Sequence, residues 1–396
     1  MTRFGEHPDL SVGDLARSAI RDALGDANCK IGDVSGVWFA NAGQGAMDNQ
    51  HMIRGQVALR PMGFEGVGIV NIENACASAS TALREATSFI RAGGGDIALA
   101  VGADKLVSES KERSLATFDG GLDVSRREWQ LREVLALAPP AAELAARRSI
   151  FLDIYAALAR QYLEVFGGSP RELAAVASKN HAHSVENPRA HFRRPFSIDE
   201  VLAARTIASP LTLPMCAPVS DGAAAAIVCS EAGARRLGAL DRAIRIDACV
   251  LRSGSTRSGV DFDNSIGART ARLAYEAAGM APADVDVAEV HDAAAIAEIL
   301  QIENLGLAPR GEAGRRVLAG DFRLGGLKPV NPSGGLISKG HPIGATGLAQ
   351  VFELVSQLRG ECGPRQVEQA RVAVAENGGG FWGIEEATCV VTVLSR

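Results

Sequence analysis

The chain has 396 residues, 47% apolar and 22% charged, a globular composition that excludes disorder and collagen-like repetition and leaves room for one large core or two. Its 41 basic and 46 acidic residues give a formal charge of −5, without the basic stripe a nucleic-acid backbone calls for. No uncharged apolar run of about 18 residues occurs and MTRFGEHPDL lacks an apolar signal core, so the expectation is a soluble, cytoplasmic protein with neither membrane nor nucleic acid as partner.

Residues 11–27 place Leu15, Ala19, Ile20, Ala23 and Leu24 at helical spacing. A short strand is expected at 34–40. GIVNI (68–72) reads as a buried strand that runs through a turn into a helix at 78–91, and IALAVGA (97–103) as another buried strand. Helical patterns then occupy 132–166 and 170–184, followed by a polar, proline-containing stretch at 185–197. Residues 268–290 repeat the order of 16–39 (helix, small-residue turn, Asp-Val, strand), with Asp284-Val285 matching Asp33-Val34. A glycine-rich turn enters an amphipathic helix over 340–360, and RVAVAENGGG (371–380) parallels DIALAVGADK (96–105). Two similar βαβ halves are the simplest account. The expected division is an N-terminal half at 1–104 and 216–238, an inserted loop or lid domain at 105–215, and a C-terminal half at 239–396.

Four segments could carry chemistry, all expected at carboxyl ends of strands, where doubly wound folds place their sites. Cys76, in Asn74-Ala75-Cys76-Ala77-Ser78, falls at a strand-to-helix turn where the helix dipole favours a thiolate; the bland reading is a buried capping cysteine. His341 sits in Gly340-His341-Pro342-Ile343-Gly344, a glycine density that suits a loop facing a ligand better than a packing histidine. His291, in His291-Asp292-Ala293-Ala294, ends a strand at 285–290 and could equally be a solvent histidine beside an Asp292 cap. Glu376-Asn377-Gly378-Gly379-Gly380, taken alone, is a glycine turn after a strand at 371–375. One cysteine with two histidines makes a nucleophile with acid/base or oxyanion partners, and acyl transfer through a thioester follows. The seven cysteines are scattered without a C-x-x-C pair, and His181-x-His183 is the one ligand-like spacing, so no metal, disulfide framework or zinc ribbon is expected.

VNIENACASASTAL (70–83), VHDAAAIAEI (290–299) and NPSGGLISKGHPIGATG (331–347) resemble the thiolase superfamily, in its sterol-carrier-protein-type and lipid-transfer-protein-like branch. The resemblance extends to residues 49–78 and 215–228. It implies an α/β thiolase fold of two βαβαβαββ halves in five α-β-α-β-α layers. It further implies a homodimer or dimer of dimers, coenzyme A thioesters as substrates with coenzyme A as co-substrate, and no permanently bound cofactor. Cys76 is then the acylated nucleophile and His341 its activator. His291 holds an oxyanion, directly or through water, and the N–H groups of Cys76 and Gly378 form a second oxyanion hole. Relatives in this branch often pair with a small zinc-ribbon/OB-fold protein.

Three departures bear on that reading. Thiolases use a second cysteine for the Cα proton, and its two known places hold Glu376 and Ala293 here. Glu376, His291 or a water would then move that proton. Ala79 replaces a glycine after the nucleophile, and a start at MTRFG leaves the first half short of one strand. The leading expectation is cleavage of a 3-oxoacyl-CoA by CoA, or the reverse Claisen condensation, with bulky or aromatic acyl groups among the candidate substrates. The alternatives are a condensing or aldolase-type enzyme on the same scaffold and a non-catalytic acyl-CoA or lipid-binding protein.

Overall fold

The computed structural model describes residues 1–137 and 149–396. The first sheet is built from β1 (Gly36–Ala40), β2 (Gly68–Ile72), β3 (Ile97–Asp104) and β4 (Gly222–Cys229), in the order β2-β1-β3-β4. β1 runs parallel to β2 and β3, and β4 is antiparallel to β3. The second sheet holds β5 (Arg245–Ser253), β6 (Val287–Glu289), β7 (Val372–Trp382) and β8 (Glu385–Ser395), in the order β5-β8-β7-β6. Here β6 and β7 are parallel, while β8 is antiparallel to β7 and β5. The triples β1-β3-β4 and β6-β7-β8 therefore share one parallel and one antiparallel step, the structural counterpart of the sequence repeat. Beside β4, Thr2 N–H donates to Ala223 O (2.9 Å), and Gly5 and Asp221 exchange backbone bonds of 3.2 and 2.8 Å.

Helices make the remaining layers. α1 (Val12–Asp26) starts at a Ser11–Asp14 capping box and buries Leu15, Ala16, Ala19, Ile20 and Leu24 against β3 and β4. α2 (Ser78–Arg91) and α7 (Thr346–Arg359) lie side by side between the sheets. α5 (Ile266–Ala278) covers β5 and β8 from outside, with α6 (Ala295–Asn304) beside it. The order is α1, first sheet, α2 and α7, second sheet, α5: the five layers of an α/β thiolase fold. Between β3 and β4 the chain forms α3 (Ile150–Phe166), α4 (Pro170–Ser184) and a short hairpin over 206–212.

Four sequence expectations change. β2 is not buried: it pairs on one side only, at the sheet edge, and Val70 is 46% exposed. α7 is enclosed on most sides instead of amphipathic, and its buried Gln350 and Gln357 donate to Glu376 O and Arg365 O. The pattern read over 132–166 divides into a helix over 127–137 and α3, with residues 138–148 outside the described chain. Glu376–Gly380 is not a turn after a strand but the interior of β7, where Gly378 and Gly379 pair with Cys389 and Thr388. A Cβ on Gly379 would run into Asn74 O and stand 2.8 Å from Ala77 N, so glycine is needed because another backbone presses on this strand.

Candidate active site

That backbone is the turn carrying Cys76. After β2, Ala75 takes a left-handed φ of +47°, a strained conformation for a residue with a Cβ. Ala77 N–H bonds Asn74 O (3.0 Å), Ser78 N–H and Oγ–H both bond Ala75 O (3.1 and 2.6 Å), and Asn74 N–H bonds Ser78 Oγ (2.8 Å). Cys76 lies just before the Ala77 cap of α2, outside the helix and not in its first turn. Its half-buried thiol faces a cavity of about 440 Å³.

His341 enters the same cavity from the turn ahead of α7. Its Nδ1 is 2.7 Å from Thr346 Oγ1, whose own hydrogen goes to Pro342 O (2.9 Å). The hydroxyl must therefore accept from Nδ1–H, which leaves the lone pair on Nε2. Burial, reinforced by His291 and Lys339, holds this imidazole well below the usual histidine range, so it is neutral.

His291 is polarised the other way. Its backbone N–H donates to Glu376 Oε2 (3.1 Å) and its Nδ1 is 3.3 Å from Glu386 Oε1. Gln301 Nε2–H holds the other Glu386 oxygen at 3.2 Å. Burial opposes the charged ring, but the Cys76 sulfur and the Glu386 carboxylate together raise His291 well above its ordinary value. Its Nε2 is buried without a hydrogen-bond partner among the described residues. The two imidazoles stand 5.3 Å apart at 62°, His291 raised and His341 lowered from the ordinary histidine range. Donor atoms of Cys76, His291 and His341 all lie within 4.8 Å of one another, close enough to enclose a soft divalent cation as well as to handle protons.

Glu376 is brought beside His291 but does not line the cavity. Its carboxyl accepts the His291 backbone N–H and the Cys389 thiol (3.4 Å). Burial first, and then the charge of Glu386, push it up to about 8, partly opposed by His291. Gly378 faces the Glu386 carboxylate, Gly379 backs onto the nucleophile turn, and Gly380 and Phe381 reach the cavity. His181 and His183 are core histidines of α4: His183 bridges Asn331 O (2.9 Å) and Leu324 N–H (3.1 Å).

One wall of the cavity is aromatic, with Phe118, Phe151, Tyr155 and Phe381, the last packed edge-on by Phe151 (5.9 Å) and Tyr155 (5.6 Å). His51, Arg54 and Glu73 add polar lining, and Arg54 is anchored through Nε to Gln50 O (2.8 Å) and Nη1 to Asn41 O (2.9 Å). Sequence reasoning missed Glu386, Thr346, Tyr155 and Arg54. Thr346 had a usable signal, a hydroxyl one turn after the histidine of a glycine-rich loop. Glu386 had none, since a glutamate pair at a strand start reads as solvent-facing.

Residues 1–232 match the family described as "Thiolase, N-terminal domain" and residues 254–395 the "Thiolase C-terminal domain-like" family. An "Acetyl-CoA acetyltransferase" of Methanothermobacter thermautotrophicus is 35% identical, covering 100% of this chain and 97% of that protein. The "Non-specific lipid-transfer protein-like 2" of Caenorhabditis elegans is 36% identical over 95% of this chain and 91% of its own. The "Benzoylsuccinyl-CoA thiolase subunit BbsB" of Thauera aromatica is 34% identical over 96% and 92%. Among solved structures, one titled "Ltp2-ChsH2(DUF35) aldolase" superposes with a TM-score of 0.77 at 21% identity, covering 100% of this chain and 96% of that one. With both family domains matched and relatives of this identity along its whole length, the chain belongs to the thiolase family, in the sterol-carrier and lipid-transfer-like branch, and is an acyltransferase.

Proposed function

We propose that the chain cleaves a 3-oxoacyl-CoA with coenzyme A, or runs the reverse Claisen condensation, through an acyl-enzyme on Cys76. The observation that carries this reading is the gathering of one cysteine and two histidines, shifted in opposite directions, with donor atoms within 4.8 Å of one another in a single cavity. His341 Nε2 takes the thiol proton as the sulfur attacks the 3-oxo carbon. The alkoxide is met by the N–H of Cys76, with the Gly378 N–H that the resemblance pairs with it set back from the cavity here; donors of this type contribute about 3 kcal/mol each. Collapse breaks the C2–C3 bond and releases an acyl-CoA enolate, whose thioester oxygen His291 Nε2–H receives. Coenzyme A then takes the acyl group from Cys76.

A bulky or aromatic acyl group fits the wall formed by Phe118, Phe151, Tyr155 and Phe381, and a relative in the same branch carries benzoylsuccinyl-CoA in its name. Coenzyme A comes and goes as co-substrate, without a resident cofactor. We assign the enzyme to the cytoplasm, where free thiols persist; no helix among the described residues is long and apolar enough to cross a membrane. A homodimer, with a small zinc-ribbon/OB-fold protein as a further partner, completes the proposal, and the structural neighbour is described as an "Ltp2-ChsH2(DUF35) aldolase".

Intact-protein mass after incubation with a panel of acyl-CoA and 3-oxoacyl-CoA thioesters tests the reading, with Cys76→Ala as control. An acyl adduct lost in the control is expected, and its mass names the acyl group. Binding without an adduct from any thioester would leave a carrier, and carbon–carbon cleavage that survives in Cys76→Ala would leave an aldolase.

A further inference from the structure

Resting on that reading, the geometry points to Glu386 as the positioning residue that fixes His291, so that the Glu386–His291 pair carries the Cα proton a second cysteine carries elsewhere in the family. The two places where that cysteine is found hold Glu376 and Ala293. Ala293 has no proton to move, and Glu376 is turned away from the cavity onto the His291 backbone and Cys389. With His341 committed to the Cys76 proton, what remains at the reacting sulfur is His291, whose Nε2 is buried, unpartnered among the described residues, and on a ring that lines the cavity. Its other nitrogen faces Glu386, a carboxylate 7% exposed and braced by Gln301 from α6. This bracing is built into the strand, because any Cβ at Gly378 would collide with the Glu386 carboxylate.

The proton count closes without a further acid. His341 accepts the Cys76 proton on attack and returns it when the sulfur leaves the acyl group. His291 as imidazolium gives its Nε2 proton to Cα of the departing enolate, and as imidazole it takes the thiol proton of incoming coenzyme A. Glu386 holds Nδ1–H throughout and so keeps Nε2 as the nitrogen that exchanges. The groups facing His291 are Cys76 from the turn after β2, Glu376 from β7, Glu386 from β8 and His341 from the loop before α7, with Cys389 of β8 behind Glu376 and Tyr155 of α3 near Cys76, Glu386 and Asp292.

The test begins with the rate of Cys76 alkylation by iodoacetamide between pH 5 and 9 in the wild type, Glu386→Gln and Glu386→Asp. An imidazolium held beside the sulfur keeps the wild-type rate high toward low pH. Glu386→Gln should lose that arm, falling about 10-fold near pH 6 as roughly one unit of differential stabilisation goes, and Glu386→Asp should restore it. With a 3-oxoacyl-CoA, Glu386→Gln should slow acylation of Cys76 and its discharge by coenzyme A alike, each about 100-fold, because His291 hands a proton to Cα in the first step and takes the thiol proton in the second. Superimposable alkylation profiles, or discharge at the wild-type rate, would overturn the assignment. If neither variant folds, the ¹⁵N shifts of His291 in the wild type decide: charged between pH 6 and 8 supports the pairing, neutral refutes it. Absence of acylation by every thioester would count against the thiolase reading, and the alkylation profile would still judge the pairing.

Discussion

Thr346 decides which nitrogen of His341 carries the proton. Its hydroxyl can only accept from Nδ1–H, since its own hydrogen is bound to Pro342 O. Thr346→Val leaves a buried donor unpaired, at a cost of about 1–3 kcal/mol, and frees the ring to present Nε2–H to the sulfur. Acylation of Cys76 should slow about 100-fold in Thr346→Val and stay near wild type in Thr346→Ser; equal rates in the two would remove the hydroxyl from the account. Glu376 gives a second prediction, on stability. Its carboxyl rises from 4.5 to about 8 on folding, mainly through burial, so the native state binds the proton more tightly than the unfolded one. Stability from this group is therefore present below pH 4.5 and lost as pH climbs from there through 8. Asp104, raised to about 6, acts in the same direction but only up to that pH. Thermal midpoints should fall between pH 6 and 8 in the wild type and fall less in Glu376→Gln, and parallel slopes would mean that Glu376 is ionised in the fold. At this scale Cys76, His291 and His341 were legible because each sits in a short motif of small residues. Glu386 and Tyr155 reach the site only through tertiary packing, which no local pattern records.

α2 and α7 meet where Ser80 crosses Gly347, and the crossing is as tight as backbones allow. A Cβ on Gly347 would collide with the Ser80 side chain and lie 2.7 Å from Ser80 N. Because Cys76 leads directly into α2, pushing the helices apart also moves the nucleophile turn. Gly347→Ala should lose about 1–3 kcal/mol from overpacking and slow the alkylation of Cys76. Leu354→Ala, further along α7 and fully buried, should lose about 2–5 kcal/mol and leave the alkylation profile unchanged. Chemical denaturation and iodoacetamide kinetics on both variants check this, and an effect on reactivity from Leu354→Ala would show that the turn responds to helix packing in general. The helices themselves were readable: α1, α2 and α4 fall within a residue or two of their apolar patterns. β7 was read short because Asn-Gly-Gly-Gly is turn chemistry in isolation. It becomes strand here through pairing to β8 and the close approach of the Cys76 turn, both non-local. β2 was read as buried because GIVNI has the composition of a core strand, yet one of its edges is open.

That open edge is the largest unanswered feature of the whole molecule. β2 pairs with β1 alone, and around it stand Val70 at 46%, Met52 at 76%, Ile53 at 58% and Val57 at 51% exposure. Among the described residues no second strand pairs with this edge, and GIVNI carries neither charge nor proline, so the edge invites another strand. Two copies of β2 related by a two-fold axis would run antiparallel, joining the first sheets of both protomers into one, and the contact would be isologous and closed. The consequence reaches the site, because β2 runs directly into the strained turn at Ala75 and a paired β2 would hold the base of that turn. Light scattering should give twice the chain mass for the wild type and the single mass for the double variant Val70→Lys, Val57→Lys, whose charges would face each other across the axis. That monomer should keep its helical signal but alkylate at Cys76 more slowly, since the turn loses its external support. A monomeric wild type would dispose of the β2 contact altogether. A monomeric variant with undiminished Cys76 reactivity would show that hydrogen bonds within the turn suffice, and that dimerisation serves stability alone.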